Sequence, residues 1–208
     1  MDRLNKKIKA VAFDMGGVIA VSGGRDILEQ IAEMLGVPVD AVKQEYWKRN
    51  HLSNVENMKW EDMIVEVVRV FDTTPETEAR TREFVRTHEA AREINHDLVA
   101  WFPKLRAIGL KVAILSNATT ELRVKLEREG IAPLLDAIVI SGEIGHQKPH
   151  KEAFDILFGR LGLPPEEVVF VDDSPKSLEK AGEIGYIPVL YKNNEQLKRE
   201  LEEYGIKI

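Results

Sequence analysis

The run VAFDMGGVIA, Val11–Ala20, is apolar up to a single aspartate and is then broken by two glycines. Its first half has no polar alternation. A short strand of that kind is buried on both faces, as in a parallel sheet. An acid at the end of such a strand stands at the carboxyl edge of the sheet, where open α/β sheets bind their ligands. Four further runs repeat the pattern: KVAILS (111–116), AIVIS (137–141), VVFVD (168–172) and IPVL (187–190). Helical stripes separate them. Leu122, Lys125, Leu126 and Glu129 are spaced for one helix, stopped by Gly130. Ala153, Ile156, Leu157 and Leu161 are spaced for another, stopped by Gly162. Ser174-Pro175 reads as an N-cap with proline at the first helical position, opening a helix that stops near Gly182 or Gly185. The alternation predicts an α/β fold, a doubly wound (Rossmann-like) parallel sheet.

Residues 22–92 break that rhythm. ILEQIAEMLG, VDAVKQEYWKRN, WEDMIVEVVRVF and ETEARTREFVRTHEAAR all favour helix. Lying between the first strand and KVAILS, they form one long helical crossover. The expected arrangement is a core of 1–21 and 93–208 with a small inserted four-helix cap, 22–92, over the strand ends. Pro103 interrupts the helical pattern of 95–108 and predicts a kink or a later start there.

Composition narrows the function. The chain has 208 residues, 44% apolar and 31% charged, with net charge −6 and no cysteine. Disulfides, thiolate nucleophiles and cysteine-bound zinc are excluded. An acidic chain without a basic tract is not a nucleic-acid binder. No run approaches the ~18 apolar residues of a membrane span. MDRLNKKIKAVAF has charge but no apolar core ahead of a cleavage site, so a cytoplasmic location is expected.

The polar residues at the strand ends and in the loops after them are Asp14, Ser116-Asn117, Lys148 and Asp172-Asp173. In a doubly wound sheet they converge. A carboxylate nucleophile, a hydroxyl, an ammonium and an acidic pair suit phosphoryl transfer through an aspartyl-phosphate. A divalent cation held by the acids would offset repulsion between Asp14 and an anionic phosphate. Ser116 and Lys148 would hold phosphate oxygens, and Gly16 and Gly17 would let the backbone approach them.

FDMGGVI, LSNAT, HQKPHKEAF and VFVDDSPKSLEKA, in this order and spacing, resemble the four motifs of the haloacid dehalogenase-like superfamily, in its phosphatase branch with a C1 cap. The resemblance implies Asp14 as nucleophile. It implies Mg2+ on Asp14, Asp173 and the Gly16 carbonyl, with Asp172 acting directly or through water. Ser116, Asn117, Lys148 and Gly17 would bind phosphate, and Lys148 would also balance Asp14. Arg25, after the hinge-like Gly23-Gly24, would reach substrate from the cap. The implied substrate is a small phosphorylated metabolite, the protein a monomer or homodimer.

One position departs from the family. Gly16 stands where the usual general acid/base aspartate would be, and losing such a group costs roughly 100- to 10,000-fold in rate. A branch resembling sugar-1-phosphate phosphatases also carries glycine there, and a sugar 1-phosphate is a better leaving group. Two other readings use the same glycine: a 2-haloacid dehalogenase, and a phosphometabolite-binding protein of low turnover. His146, two residues before Lys148, is a candidate substitute acid, although a loop histidine without a role is the commoner state. Lys48, Arg49 and His51 are candidates to face the cleft, with a solvated helix face the favoured reading for at least one of them, and Trp47 and Trp60 read as cap core rather than sugar-stacking platforms.

Overall fold

The computed structural model describes residues 8–21, 26–72 and 74–208. The first strand is β1 (Ala10–Phe13), followed by the short β2 (Ala20–Val21). Four helices come next: α1 (Ile27–Leu35), α2 (Val39–Asn54), α3 (Trp60–Val68) and α4 (Pro75–Ala90). The chain returns through β3 (Glu93–Ile94), α5 (His96–Val99) and α6 (Phe102–Ala107) to β4 (Lys111–Ser116) and α7 (Glu121–Arg128). Then follow β5 (Ala137–Ile140), α8 (Ser141–Ile144), α9 (Lys151–Leu161) and β6 (Val168–Asp172). The chain closes with α10 (Pro175–Leu178), α11 (Ala181–Ile184), β7 (Ile187–Leu190) and α12 (Asn194–Glu203).

Five strands form one parallel sheet in the order β5-β4-β1-β6-β7. The continuous apolar runs have a simple cause. Val11, Phe13, Val112, Ile114, Val169 and Val171 face one helical layer, which supplies Phe102, Leu105, Leu126 and Leu201. Ala10, Ala12, Ala113, Leu115, Val168 and Phe170 face the other, with Phe154, Leu157 and Leu161 of α9. Alternate side chains point to opposite faces, and both faces are covered. The chain runs outward from β1 through β4 to β5, then crosses back to β6 on the other side of β1. Strand order therefore reverses beside β1, and the crevice beyond its carboxyl end is where a ligand fits.

The helices α1–α4 pack around their own apolar cluster, which includes Ile31, Val42, Ile64, Val68 and Val85. The chain enters this bundle from β2 and leaves it into β3, and these two strands pair antiparallel, Ala20 opposite Ile94. Two local expectations are sharpened. Pro103 lies in the first turn of α6, so the helix starts late rather than kinks. The helix expected from Ser174 is two short ones, α10 and α11, and the Ser174 side chain makes no cap hydrogen bond.

Candidate active site

The site grows from the ends of β1, β4 and β6. Asp14 follows β1 directly, and its N–H donates to the Val171 carbonyl at 2.8 Å, extending the sheet by one residue. One carboxylate oxygen, Oδ1, accepts from the Met15 N–H at 2.6 Å and from Lys148 Nζ at 2.9 Å. Asp14 Oδ2 takes no hydrogen bond among the described residues. The Lys148 ammonium is 1% exposed and also donates to Asp172 Oδ2 at 2.6 Å. The other Asp172 oxygen, Oδ1, accepts from the Ser174 N–H at 2.8 Å. Asp172 is thus fully buried with both oxygens engaged. This arrangement suits support of the site from behind rather than direct metal ligation.

Asn117 has a different job from the one expected. Its Oδ1 accepts from the Lys148 N–H at 2.8 Å, and its Nδ2 donates to the Lys148 carbonyl at 3.1 Å. Both ends of the amide therefore clamp the backbone that carries the lysine, and Asn117 also lines the cleft with Asp14 and Ser116. Burial pushes the Lys148 ammonium down, but Asp14 and Asp172 outweigh it and the net shift is upward. Asp172 is pushed up, first by burial and then by repulsion from Asp14, with Lys148 opposing. Asp173, at the exposed end of the cluster, is also pushed up, first by loss of solvation and then by Asp14.

Gly17 has φ +71°, and a Cβ there would overlap the Asp173 carboxylate. Only glycine lets that carboxylate come so close to the turn. The Gly17 N–H is engaged by the Ala20 carbonyl at 2.9 Å, so Gly17 provides room rather than a donor for phosphate. Asp14, Asp172 and Asp173 each bring one oxygen within 4.8 Å of the others. Three carboxylates thus face one ammonium, which leaves the cluster with surplus negative charge. Hard oxygen donors with a deficit of positive charge fit Mg2+.

The cleft above has a volume of about 580 Å³. Asp14, Gly16 and Ser116 line its floor, Tyr46, Asn54 and Trp60 its roof, and Glu89 and Arg92 one flank. Ser116 is 3% exposed at the end of β4. Arg25 lies outside the described residues. His146 is exposed and does not line the cleft. Lys48 and Arg49 both pair with Glu45 on their own helix, as a solvated face should. Trp47 departs from expectation: it is 44% exposed, and Lys176 Nζ lies 4.0 Å from its ring centre. It joins α2 to α10 instead of filling the helical bundle. Trp60 packs against the bundle's apolar cluster, as expected.

No pattern along the chain marks the residues that tie the helical bundle to the sheet. Asn54 Nδ2 donates to Gln147 Oε1 at 2.9 Å. Asn57 Nδ2 donates to the Gly142 carbonyl at 2.7 Å, and Asn57 Oδ1 accepts from the Thr120 N–H at 3.0 Å. Asn57 has φ 60°, so Asn57→Gly removes the side chain without straining the backbone. The Thr120 amide should then exchange with solvent on the order of tenfold faster, read by NMR, because its acceptor is gone. An unchanged rate would mean that Asn57 is not the latch.

A family model described as haloacid dehalogenase-like hydrolase matches residues 8–185. Glyceraldehyde 3-phosphate phosphatase of Methanocaldococcus jannaschii is 37% identical over 104 residues, 49% of this chain and 46% of that protein. Bifunctional epoxide hydrolase 2 of Mus musculus is 24% identical over 216 residues, 94% of this chain and 38% of that protein. The chain thus spans less than half the length of these curated relatives. A haloacid dehalogenase-family enzyme from Bacteroides thetaiotaomicron, solved as a magnesium complex, superposes with a TM-score of 0.66. Its sequence is 18% identical, and the match covers 94% of this chain and 99% of that one.

Proposed function

The chain belongs to the haloacid dehalogenase-like hydrolase family, and from that premise we propose that it is a magnesium-dependent phosphatase of a small phosphorylated metabolite. The observation that carries this reading is the buried Lys148 ammonium between Asp14 and Asp172, with Asp173 at the rim. Phosphatases among the relatives support it. Action on a free cytoplasmic metabolite, as a monomer or homodimer, belongs to the same reading. Among the described residues no helix is long and apolar enough to cross a membrane.

Asp14 Oδ2 attacks phosphorus while Oδ1 stays fixed by Met15 and Lys148. The bond from phosphorus to the ester oxygen breaks as the aspartyl-phosphate forms, and water then releases inorganic phosphate and regenerates Asp14. Ser116 donates to a phosphate oxygen, and Lys148 offsets the charge gathering between nucleophile and phosphate. Asp14, Asp173 and the Gly16 carbonyl would hold Mg2+, with Asp172 fixed behind them. When bound, the ion offsets repulsion between the anionic nucleophile and substrate. Gly16 supplies no proton to the departing oxygen, which favours substrates with stabilised leaving groups, sugar 1-phosphates among them. The acidic cluster argues against a metal-free dehalogenase.

A panel of phosphate monoesters assayed with Mg2+ and with EDTA tests the reading. Phosphate release should fall at least ~100-fold on chelation. Chloride release from 2-chloropropionate in EDTA, without turnover of any phosphate ester, would replace this reading with a dehalogenase.

A further inference from the structure

The geometry points to Arg92 as the residue that holds a second anionic group of the substrate, a carboxylate or a second phosphate, beside the phosphoryl group under attack. This rests on the phosphatase reading and narrows its substrate to small phosphate monoesters with a second negative charge.

Arg92 stands between α4 and β3, and the pairing of β3 with β2 fixes its backbone near the turn at Gly16. Its guanidinium lies over that glycine: a Cβ on Gly16 would be 3.3 Å from Arg92 Nη2. The space that a second aspartate would enter is bordered by a cation. Arginine does not release its proton at working pH, so Arg92 does not replace the missing acid. It holds charge. Two arginines of the neighbouring α4 are paired, Arg82 with Asp62 and Arg86 with Glu61. Arg92 has no ion pair among the described residues, and its Nε is closed to solvent without a hydrogen-bond partner. No carboxylate of the described residues neutralises the guanidinium, and Arg92 lines the cleft with Nη2 over Gly16, so its terminal N–H groups are placed to donate to an oxygen of a carboxylate or phosphate.

The surroundings agree. Lys125 and Arg128 line the same flank of the cleft, with Glu89 and Glu121. Burial, the larger influence, pushes the Glu89 carboxyl up, with Arg92 opposing. Because Asp14, Gly16 and Arg92 line one cleft and Nη2 lies over Gly16, the second anion would follow the phosphate by a short carbon chain.

The test uses matched probes on the full chain with Mg2+. One pair is 2-phosphoglycolate against ethyl phosphate, which reads a carboxylate. The other is propane-1,3-diyl bisphosphate against propyl phosphate, which reads a phosphate. The wild type should favour the doubly anionic member of at least one pair by about 10- to 100-fold in kcat/KM. Arg92→Met should remove most of that preference, chiefly through KM, and Arg92→Lys should restore part of it. Gly16→Asp, which sets a carboxylate against the guanidinium, should remove it too. No preference in the wild type, or an equal loss on both members in Arg92→Met, overturns the inference. Calorimetric binding of phosphonoacetate against ethylphosphonate needs no turnover. A preference for phosphonoacetate that depends on Arg92 would support the inference even if no ester were hydrolysed. That outcome would separate a failed phosphatase reading from a failed anion site.

Discussion

Asp14→Asn is expected to lower kcat for phosphate monoesters by roughly 10,000-fold or more, with the fold intact. The substitution is nearly isosteric. The amide oxygen of the introduced asparagine can still accept from Met15 and Lys148, the two donors that hold Oδ1 now. What disappears is the anionic Oδ2 proposed to bond to phosphorus. The loss should appear in kcat at saturating substrate, because the phosphate contact proposed for Ser116 is untouched. Intact-mass measurement after rapid quenching supplies an independent reading. The wild type should show a phosphate-sized mass increase on the peptide carrying residue 14, and the variant none. Full metal-dependent activity in the variant would remove Asp14 from the chemistry.

Lys148→Met is expected to cost about 3–5 kcal/mol of stability, the usual effect of removing one partner from a buried ion pair. Methionine fills similar space, so the loss is electrostatic more than steric. Asp14 and Asp172 would then face each other without their shared cation, and Asp172 is fully buried. In a domain of this size that corresponds to a fall in Tm on the order of 10 °C, measured in EDTA so that no metal compensates. The pH dependence has a definite sign. Asp172 is already pushed up in the wild type, chiefly by burial, and losing Lys148 pushes it further. A carboxyl with a raised folded pKa favours the folded state when protonated. The deficit of the variant should therefore be largest at neutral pH and shrink as pH falls toward about 4, the ordinary carboxylate range. A deficit that grows on acidification would contradict the geometry. Activity should fall on the order of 1,000-fold, since the charge at the nucleophile is no longer balanced.

The parts of the fold legible in the sequence are those fixed by local pattern. The apolar runs at 11–13, 112–115 and 168–171 show strands buried on both faces, and that alone requires a covered parallel sheet. Chain order then places Asp14, Ser116 and Asp172 at the same edge. The acidic pair and the lysine were visible because each follows a strand or its loop directly. Roles that depend on orientation were not visible. Asn117 looked free to meet a phosphate, yet its amide closes on the Lys148 backbone across a gap of 31 residues in the chain. Trp47 looked like core because it is large and apolar, but its position on α2 turns it toward Lys176.

By itself, then, the sequence determined the layered sheet, the four-helix insertion and the identity of the acids and lysine at the sheet edge. Those features follow from periodicity and from the order of strands along one chain. Only the tertiary structure decided which oxygen of Asp14 is held by Met15 and Lys148, that Asp172 is fully engaged, and that Arg92 borders the space above Gly16. The last contact joins residues at opposite ends of a long helical excursion. No local pattern encodes such a meeting, because it depends on how β2 and β3 pair as the chain leaves the sheet and returns.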